Sequence, residues 1–334
     1  MASAADEQRV RMMRAVVRDR YGSPDVLEIR KVPKPELTDD GVLVRVRATS
    51  LNRSDWYSLV GAPYIARPRM GGLRKPKTEF LGGDFAGVVE AVGKSVPDLR
   101  PGDEVFGGRR GAFAEYVVAH EAVARKPANL AFEEAAAIPV AGITALQAIR
   151  DHGKLEPGQK VLVNGASGGV GTFAVQIAKA FGGEVTGVCS PRNVDLVRSL
   201  GADEVVDYTV EDFTRRNERY DVLLDVAGGK SWSACRRVLA EDARVVIIGG
   251  PLGSHLLGPL AHIARIRLGS LRGGQRAGFF LAKLGQADLA VVRELVEGGK
   301  VTPVVEKRYE LSEIADAFRH LGEGHARGKL VVTI

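Results

Sequence analysis

The stretch "VLVNGASGGVGTFAVQIAKAFGGEVTGVCSPRN", Val161 to Asn193, decides how the chain is read. A short apolar run meets Gly165, Gly168, Gly169 and Gly171, a pattern with helical spacing follows, and a second apolar run ends at Ser190. Glycines between a strand and a helix serve three tasks: a tight turn, close approach of backbone to a pyrophosphate, and close helix packing. The helix N-terminus after Gly169 adds unpaired N–H groups that favour an anion. Gly165, Ser167, Gly168, Gly169 and Val170 are therefore expected to cradle a dinucleotide.

The end of the second run selects the dinucleotide. A site for NAD places Asp or Glu there to accept from the ribose 2′-hydroxyl, about 20 residues after the motif. Here the place reads "VCSPRN". Cys189 and Ser190 leave room, Arg192 brings a planar cationic fork suited to phosphate, and Asn193 completes the turn. A carboxylate would repel a 2′-phosphate, so NADPH is the expected cofactor. Lys179, on the helix after the loop, is a candidate second charge; an exposed helix residue is the plainer reading. Asp195 suits the first turn of the next helix.

The surroundings support this reading. From about Arg14 to Lys126, short strands punctuated by Gly, Pro and Asp ("AVVRDR", "LEIRKVP", "GVLVRVRATSLN", "FAGVVEAVG", "GDEVFGG", "FAEYVVA") predict a compact, mostly antiparallel, barrel-like domain. From about Ala131, "NLAFEEAAAIPVAGITALQAI" predicts two helical segments broken at Pro139. Strands and helices then alternate, as a doubly wound parallel sheet requires. Towards the end, "DLAVVRELVEGGKV" and "LSEIADAFRHL" have helical spacing. The latter places Leu311, Ile314, Ala315, Phe318 and Leu321 on one stripe, with Ser312 as N-cap. "GKLVVTI" closes the chain as a strand.

Composition bounds the rest. The 334 residues suffice for two domains, and 45% hydrophobic with 26% charged residues is ordinary for a globular protein. The polar N-terminal segment argues against a secretion signal, and no run is long enough for a membrane helix. Two cysteines, Cys189 and Cys235, suit a reducing compartment, so a cytoplasmic location is expected. A net charge of +6 invites a nucleic-acid reading, but acids and bases are interleaved. The basic patch Arg9 to Arg20 alternates like the solvated face of a strand. The patch Ala66 to Lys77 has the Gly and Pro of a loop, and a solvated role is favoured over one guiding an anionic substrate.

With "NGASGGVGTFAVQIAKAFG", "LGADEVVDY", "LLDVAGG" and "GKLVVTI" on the page, the sequence resembles the medium-chain dehydrogenase/reductase superfamily, in its zinc-free quinone oxidoreductase (zeta-crystallin-like) branch. The resemblance covers nearly the whole chain. It implies an α/β fold: a GroES-like catalytic domain from 1–130 and 277–334, and a Rossmann NADPH-binding domain from 131–276. Zinc members of the superfamily have a Cys and a His where this chain has Asn52 and Gly83, and no cysteine precedes residue 189, so no metal ligand set is expected.

The resemblance also implies roles. Asn52, Asp55 and Thr144 should lie near the nicotinamide, Asn52 in place of a metal ligand, although a buried Asp such as Asp55 often only caps backbone N–H groups. Tyr208 should flank the adenosine phosphate, or else be a surface aromatic. Gly249 and Gly250 should end a strand where the nicotinamide passes, and Lys329 is either a cleft residue or a solvated strand end. "NRSDWYSLVGAPY" is similar to a segment of the 2-enoyl thioester reductases that carries a proton-donating tyrosine, which makes Tyr64 a candidate donor and Tyr57 a weaker one. Arg272 and Phe279 should border the substrate cleft. "RIRLGS" should be an edge strand pairing across a homodimer. Without a metal Lewis acid, hydride transfer to a quinone or an α,β-unsaturated carbonyl is the expected chemistry, because conjugation spreads the charge that hydride delivers. Reduction of 2-enoyl thioesters and non-catalytic NADPH binding stay open as alternatives.

Overall fold

The computed structural model describes residues 11–70, 72–251, 259–271 and 274–334. Period-two burial organises the first part of the chain. β1 (Met12–Val17) and β2 (Glu28–Pro33) form an antiparallel pair. In β3 (Val42–Ser50), Val44 and Val46 turn inward while Arg45 and Arg47 face out. After the helices α1 (Arg53–Val60) and α2 (Arg67–Met70) come β4 (Asp84–Val92), β5 (Glu104–Gly108), β6 (Tyr116–Ala119) and β7 (Val123–Arg125). Val44, Val46, Phe85, Val89, Val105 and Val117 pack together between these strands.

Pro139 divides α3 (Phe132–Ala136) from α4 (Pro139–Gln147), as expected; a proline in the first turn loses no helical hydrogen bond. α4 is apolar nearly all round and is buried, the outcome such a helix demands. It packs on α5 (Gly169–Ala180), and its apolar cluster takes in Ala48, Ala86 and Phe106 from the antiparallel sheet, so one core spans both halves of the chain.

β8 (Lys160–Asn164), β9 (Glu184–Cys189), β10 (Glu204–Asp207), β11 (Tyr220–Asp225), β12 (Leu239–Ile247) and β13 (Arg276–Phe279) form a wholly parallel sheet in the order β10-β9-β8-β11-β12-β13. The order reverses at β8, and a doubly wound sheet binds its ligand at such a switch point. α6 (Val194–Ser199), α7 (Trp232–Arg236) and α8 (Pro259–Ser270) complete this unit. The chain then returns through α9 (Gln286–Glu297), β14 (Val305–Glu310), α10 (Ile314–Glu323) and β15 (Lys329–Thr333). β15 pairs antiparallel with β3 and parallel with β14, completing a sheet ordered β14-β15-β3-β4-β5-β7, with β6 also on β3.

Several expectations need correction. "RIRLGS" is not an edge strand: it is the second half of α8, because His262, Ile263 and Ile266 face the core at helical spacing while Arg265 and Arg267 do not. The edge strand is β13, and the division expected at 276/277 falls inside it. Ser312 does not cap α10. It lies within the preceding 3-10 turn, where Glu313 accepts the Glu310 N–H at 2.8 Å. On the stripe of α10, Ala317 takes the buried place expected for Ala315, and Phe318 packs edge-on against Phe113 at 5.7 Å. The alternation read in Arg9 to Arg20 breaks at Arg18, which leaves β1 for the interior and is only 3% exposed. β7 and β14 were not anticipated.

The turn from β8 into α5 leaves no space at Gly171, where a Cβ would meet the Gly165 carbonyl oxygen at 2.1 Å. Gly171→Ala should destabilise the fold by about 1–3 kcal/mol, as overpacking does. Gly285→Ala, at an extended position with nothing within 4 Å, should be neutral. Thermal melting of the two variants checks this; equal midpoints would refute the packing role of Gly171.

Candidate functional site

Gly165 has φ +94°, a backbone state that favours glycine, and so turns the chain from β8 towards α5. Gly168 stands at the N-cap of α5 without a side-chain cap, leaving first-turn N–H groups free for an anion. Behind the loop, the buried Asn193 donates to Ser167 Oγ at 3.0 Å and Ser190 Oγ at 3.1 Å, tying the glycine loop to the end of β9. Its Oδ1 is buried and accepts from no group among the described residues. An orphaned acceptor beside an uncapped helix start fits a dinucleotide's hydroxyl-bearing, anionic body. Val170 is partly buried and packs against the core.

Around the end of β9, Cys189 is buried and its thiol is pushed up to about 11 by desolvation and by Asp207, so it stays a thiol. Its carbonyl accepts the Tyr208 N–H at 3.2 Å, which brings the half-exposed Tyr208 beside Ser190 at the carboxyl edge of the sheet. Asp207 ends the next strand, but its Oδ1 closes a local turn, accepting Thr209 N–H at 2.9 Å and Thr209 O–H at 2.8 Å. Arg192 is exposed and donates to the His325 carbonyl of the returning chain. Lys179 goes elsewhere. Ten residues along α5, about 15 Å at helical rise, it lies at the opposite edge of the sheet and is bound to both carboxylate oxygens of Asp203 at 2.8 Å and to the Gly183 carbonyl. It cannot also meet a phosphate at the carboxyl edge.

The second part of the site is a buried polar cluster. Asp84, fully buried, accepts from Ser50 Oγ (2.8 Å), Asn52 Nδ2 (2.7 Å), the Val140 N–H (2.9 Å) and Lys329 Nζ (3.3 Å). Lys329 Nζ also donates to Asn52 Oδ1. Lys329 is 2% exposed and is not a solvated strand end: its stem lies on the glycine loop, where a Cβ on Gly169 would meet its Cδ at 3.1 Å, and Gly328 N–H donates to the Ser167 carbonyl at 2.8 Å. Asp55 completes the cluster, accepting the Asn52 N–H at 2.8 Å. Burial and the nearby Asp84 charge push its carboxyl up to about 7, against the pull of backbone N–H groups and Lys329. Asp84 was missed by sequence reasoning; its place beside Gly83 in "GGDFAG" was the only signal.

Asp55 opens onto a cleft of about 660 Å³, walled also by Ser54, Ser58, Gly83, Leu284 and three arginines, Arg18, Arg109 and Arg110. The other expected residues divide. Thr144 is buried on α4 and donates to its own helix at Val140. Gly249 and Gly250 follow β12; a Cβ at Gly249 would meet the Val226 carbonyl at 2.3 Å. Tyr64 does not line the cleft. It is 42% exposed on a short 3-10 turn, with the Arg67 guanidinium 4.1 Å from its ring centre. Tyr57 lies behind the cleft, in the wall of a smaller cavity. Phe279 packs into the parallel sheet's core and is not part of the cleft wall, and Arg272 lies outside the described residues. In the basic loop, Arg67 is not solvated: it packs between Tyr21 and Tyr64 and donates to the carbonyls of Val60 and Gly61. The buried pair Asp225–His262 (2.7 Å) was also missed; it holds α8 to the end of β11 beside Asn164.

Among the described residues, no group of three or more His, Cys, Asp or Glu side chains could hold a metal ion. Residues 38–128 match the alcohol dehydrogenase GroES-like domain, and residues 200–332 match a family described as zinc-binding dehydrogenase. The chain is 37% identical to the NAD(P)H oxidoreductase RTN4IP1, mitochondrial, of Danio rerio, over 97% of this chain and 92% of that one. It is 34% identical to the chloroplastic quinone-oxidoreductase QR1 of Triphysaria versicolor, over 96% and 98%. Among solved structures, the quinone oxidoreductase from Coxiella burnetii superposes with a TM-score of 0.86 at 30% identity, covering 97% of this chain and all of that one. Sheet order, the glycine turn and full-length similarity agree: the chain belongs to the medium-chain dehydrogenase/reductase superfamily, among its quinone oxidoreductases.

Proposed function

We propose that this protein is an NADPH-dependent oxidoreductase that reduces quinones or α,β-unsaturated carbonyls without zinc. The observation that carries this is the carboxyl of Asp55, with its pKa pushed up to about 7, in the wall of a cleft beside the Asn52–Lys329–Asp84 cluster that touches the glycine loop. The relatives' printed names support it, including an NADPH-dependent alkenal/one oxidoreductase of Arabidopsis thaliana at 32% identity.

NAD(P)H, when bound, supplies hydride from its nicotinamide ring. The glycine loop and the uncapped start of α5 would hold the pyrophosphate, and Ser190, Arg192 and Tyr208 would hold the adenosine end. Lys329 and Asp84 fix Asn52 between them, so the wall that faces the reacting atoms is set before substrate enters. The acceptor's oxygen gains charge as it is reduced, and Asp55 in its neutral form donates an O–H to it; the carboxylate left behind regains a proton from water through the cleft mouth. A carboxyl with a pKa near the working pH suits this transfer. Tyr64 stands outside the cleft wall, so the reading in which it donates the proton to an enoyl thioester is the less supported one, although the CurK enoyl reductase superposes with a TM-score of 0.83 at 25% identity.

Arg192 is proposed to select the phosphorylated cofactor: its charge is exposed just past β9, whose last residue is Cys189 where a site for NAD would carry an acid. A cytoplasmic homodimer is proposed as well. Both cysteines are free and buried, which suits a reducing compartment, and the unpaired edge of β13 lies near the exposed Leu268, Leu271 and Leu281.

NADPH oxidation should be seen with a panel of quinones and enones, and absence of turnover on every acceptor would overturn the assignment. Because Asp55 must carry a proton, kcat/KM for the acceptor should fall as pH rises through about 7. Asp55→Asn should lower kcat by about 100-fold or more and remove that inflection; an unchanged pH profile would remove Asp55 from the proton step. Calorimetry should show Arg192→Glu weakening NADPH by about tenfold or more with NADH nearly unaffected. Light scattering should give twice the 35.7 kDa chain mass.

A further inference from the structure

Among the described residues, Arg18 is the one arginine that is buried. It is 3% exposed, its Nε and Nη1 are fully buried, and neither has an acceptor among the described residues. Its backbone N–H donates to the Glu79 carbonyl at 3.1 Å. It feels the charge of another cation, Arg110, and the Tyr21 ring centre lies 5.3 Å from its guanidinium carbon. Burial and Arg110 lower its pKa to about 10, which leaves it charged at neutral pH. Two buried guanidinium nitrogens without acceptors are costly, and native proteins rarely leave donors so.

The residue lines the Asp55 cleft, and Arg109 and Arg110 stand exposed on the same wall without an ion pair among the described residues. The cleft's own carboxylates do not serve Arg18: Asp40 faces His120 at 3.7 Å, Asp55 is bound to backbone N–H groups, and Glu121 makes no ion pair with it. We propose that Arg18 is a substrate-recognition residue, forming with Arg110 a carboxylate-binding subsite in the cleft, so that the preferred acceptor is a quinone or enone bearing a carboxylate. The planar guanidinium fork matches the two oxygens of a carboxylate, and a monoanion supplies the acceptor that buried donors lack without placing a dianion against Asp40 and Glu121. The exposed Arg109 and Arg110 would draw such a substrate to the mouth. This proposal rests on the reading of the cleft as the acceptor site.

Binding and turnover are measured separately, so that the subsite and the reductase reading fail apart. By calorimetry on the wild-type protein, 2-naphthoate should bind at least about tenfold tighter than its methyl ester, the scale of a charge-assisted hydrogen bond. Arg18→Met should abolish that difference, and Arg18→Lys should keep part of it. Equal binding of acid and ester, a preference that survives Arg18→Met, or tighter binding of 2-naphthyl phosphate than of the carboxylate would overturn the proposal. Should Arg18→Met not fold, the wild-type comparison and Arg18→Lys decide. In turnover, a naphthoquinone propionate should exceed its methyl ester in kcat/KM by a similar factor. Turnover of acid and ester alike would overturn the subsite alone. Carboxylate binding with no turnover of any quinone or enone would overturn the reductase reading and leave the subsite standing.

Discussion

A buried lysine joins the two halves of this site. Lys329 and Asp84 are 3.3 Å apart and essentially without solvent, a pairing whose desolvation is expensive unless other partners complete it. Here they do: Asp84 takes four donors, from Ser50, Asn52, Val140 and Lys329, and the ammonium also has Asn52 Oδ1. The stem that reaches this point is pinned on the glycine loop by the contact with Gly169 and the bond from Gly328 to Ser167. The loop that would hold a pyrophosphate and the residues that would face a nicotinamide are thus held at fixed separation by one side chain from the last strand. Removing either charge would leave the other buried and unpaired, so loss of Lys329 or Asp84 disturbs the cleft as a whole.

The same ion pair explains why the neighbouring carboxylates differ. Asp84 is compensated by four donors. Asp55 is buried with only backbone N–H groups as donors, and desolvation first, then the negative field of Asp84, push its carboxyl up to about 7. The acid that the proposed mechanism needs would come from burying one carboxyl beside another and giving most of the donors to the second.

How much of this was legible in the sequence follows from distance along the chain. The glycine loop, Ser190 and Asn193 lie within 30 residues and obey local backbone rules, so their arrangement could be read directly. The parallel sheet was legible from alternation, and the helix break at Pro139 from proline's missing N–H. Lys329 was named, but its destination 277 residues away at Asn52 was not, and Asp84 carried no sign of its four partners. Lys179 shows the converse. Its charge was noted, but the direction of α5 carries it to the wrong edge of the sheet, where Asp203 claims it. At "RIRLGS" the resemblance implied an edge strand, and the burial of His262, Ile263 and Ile266 at helical spacing makes it a helix instead. Arg18 sat in an alternating basic run that gave every reason to place it in water.

In the proposed reading, the proton source follows from the chemistry left once a metal ligand set is replaced by Asn52 and Gly83. A reduced quinone or enolate is a strong enough base to take a proton from a group near neutral pKa, and a phenol held higher gives it up less readily. Tyr57 lies behind the cleft with its phenol raised further by burial, which makes it a weaker acid than an ordinary tyrosine. Tyr64 is turned outward under Arg67. Asp55 alone among these three lines the cleft, and its carboxyl, pushed up to about 7, can both release and regain a proton near neutral pH. In that reading Arg18, Arg109 and Arg110, which line the same cleft, would orient the acceptor by its remote end while Asp55 meets its reacting end, so that binding energy from an anionic tail positions an uncharged ring for reduction.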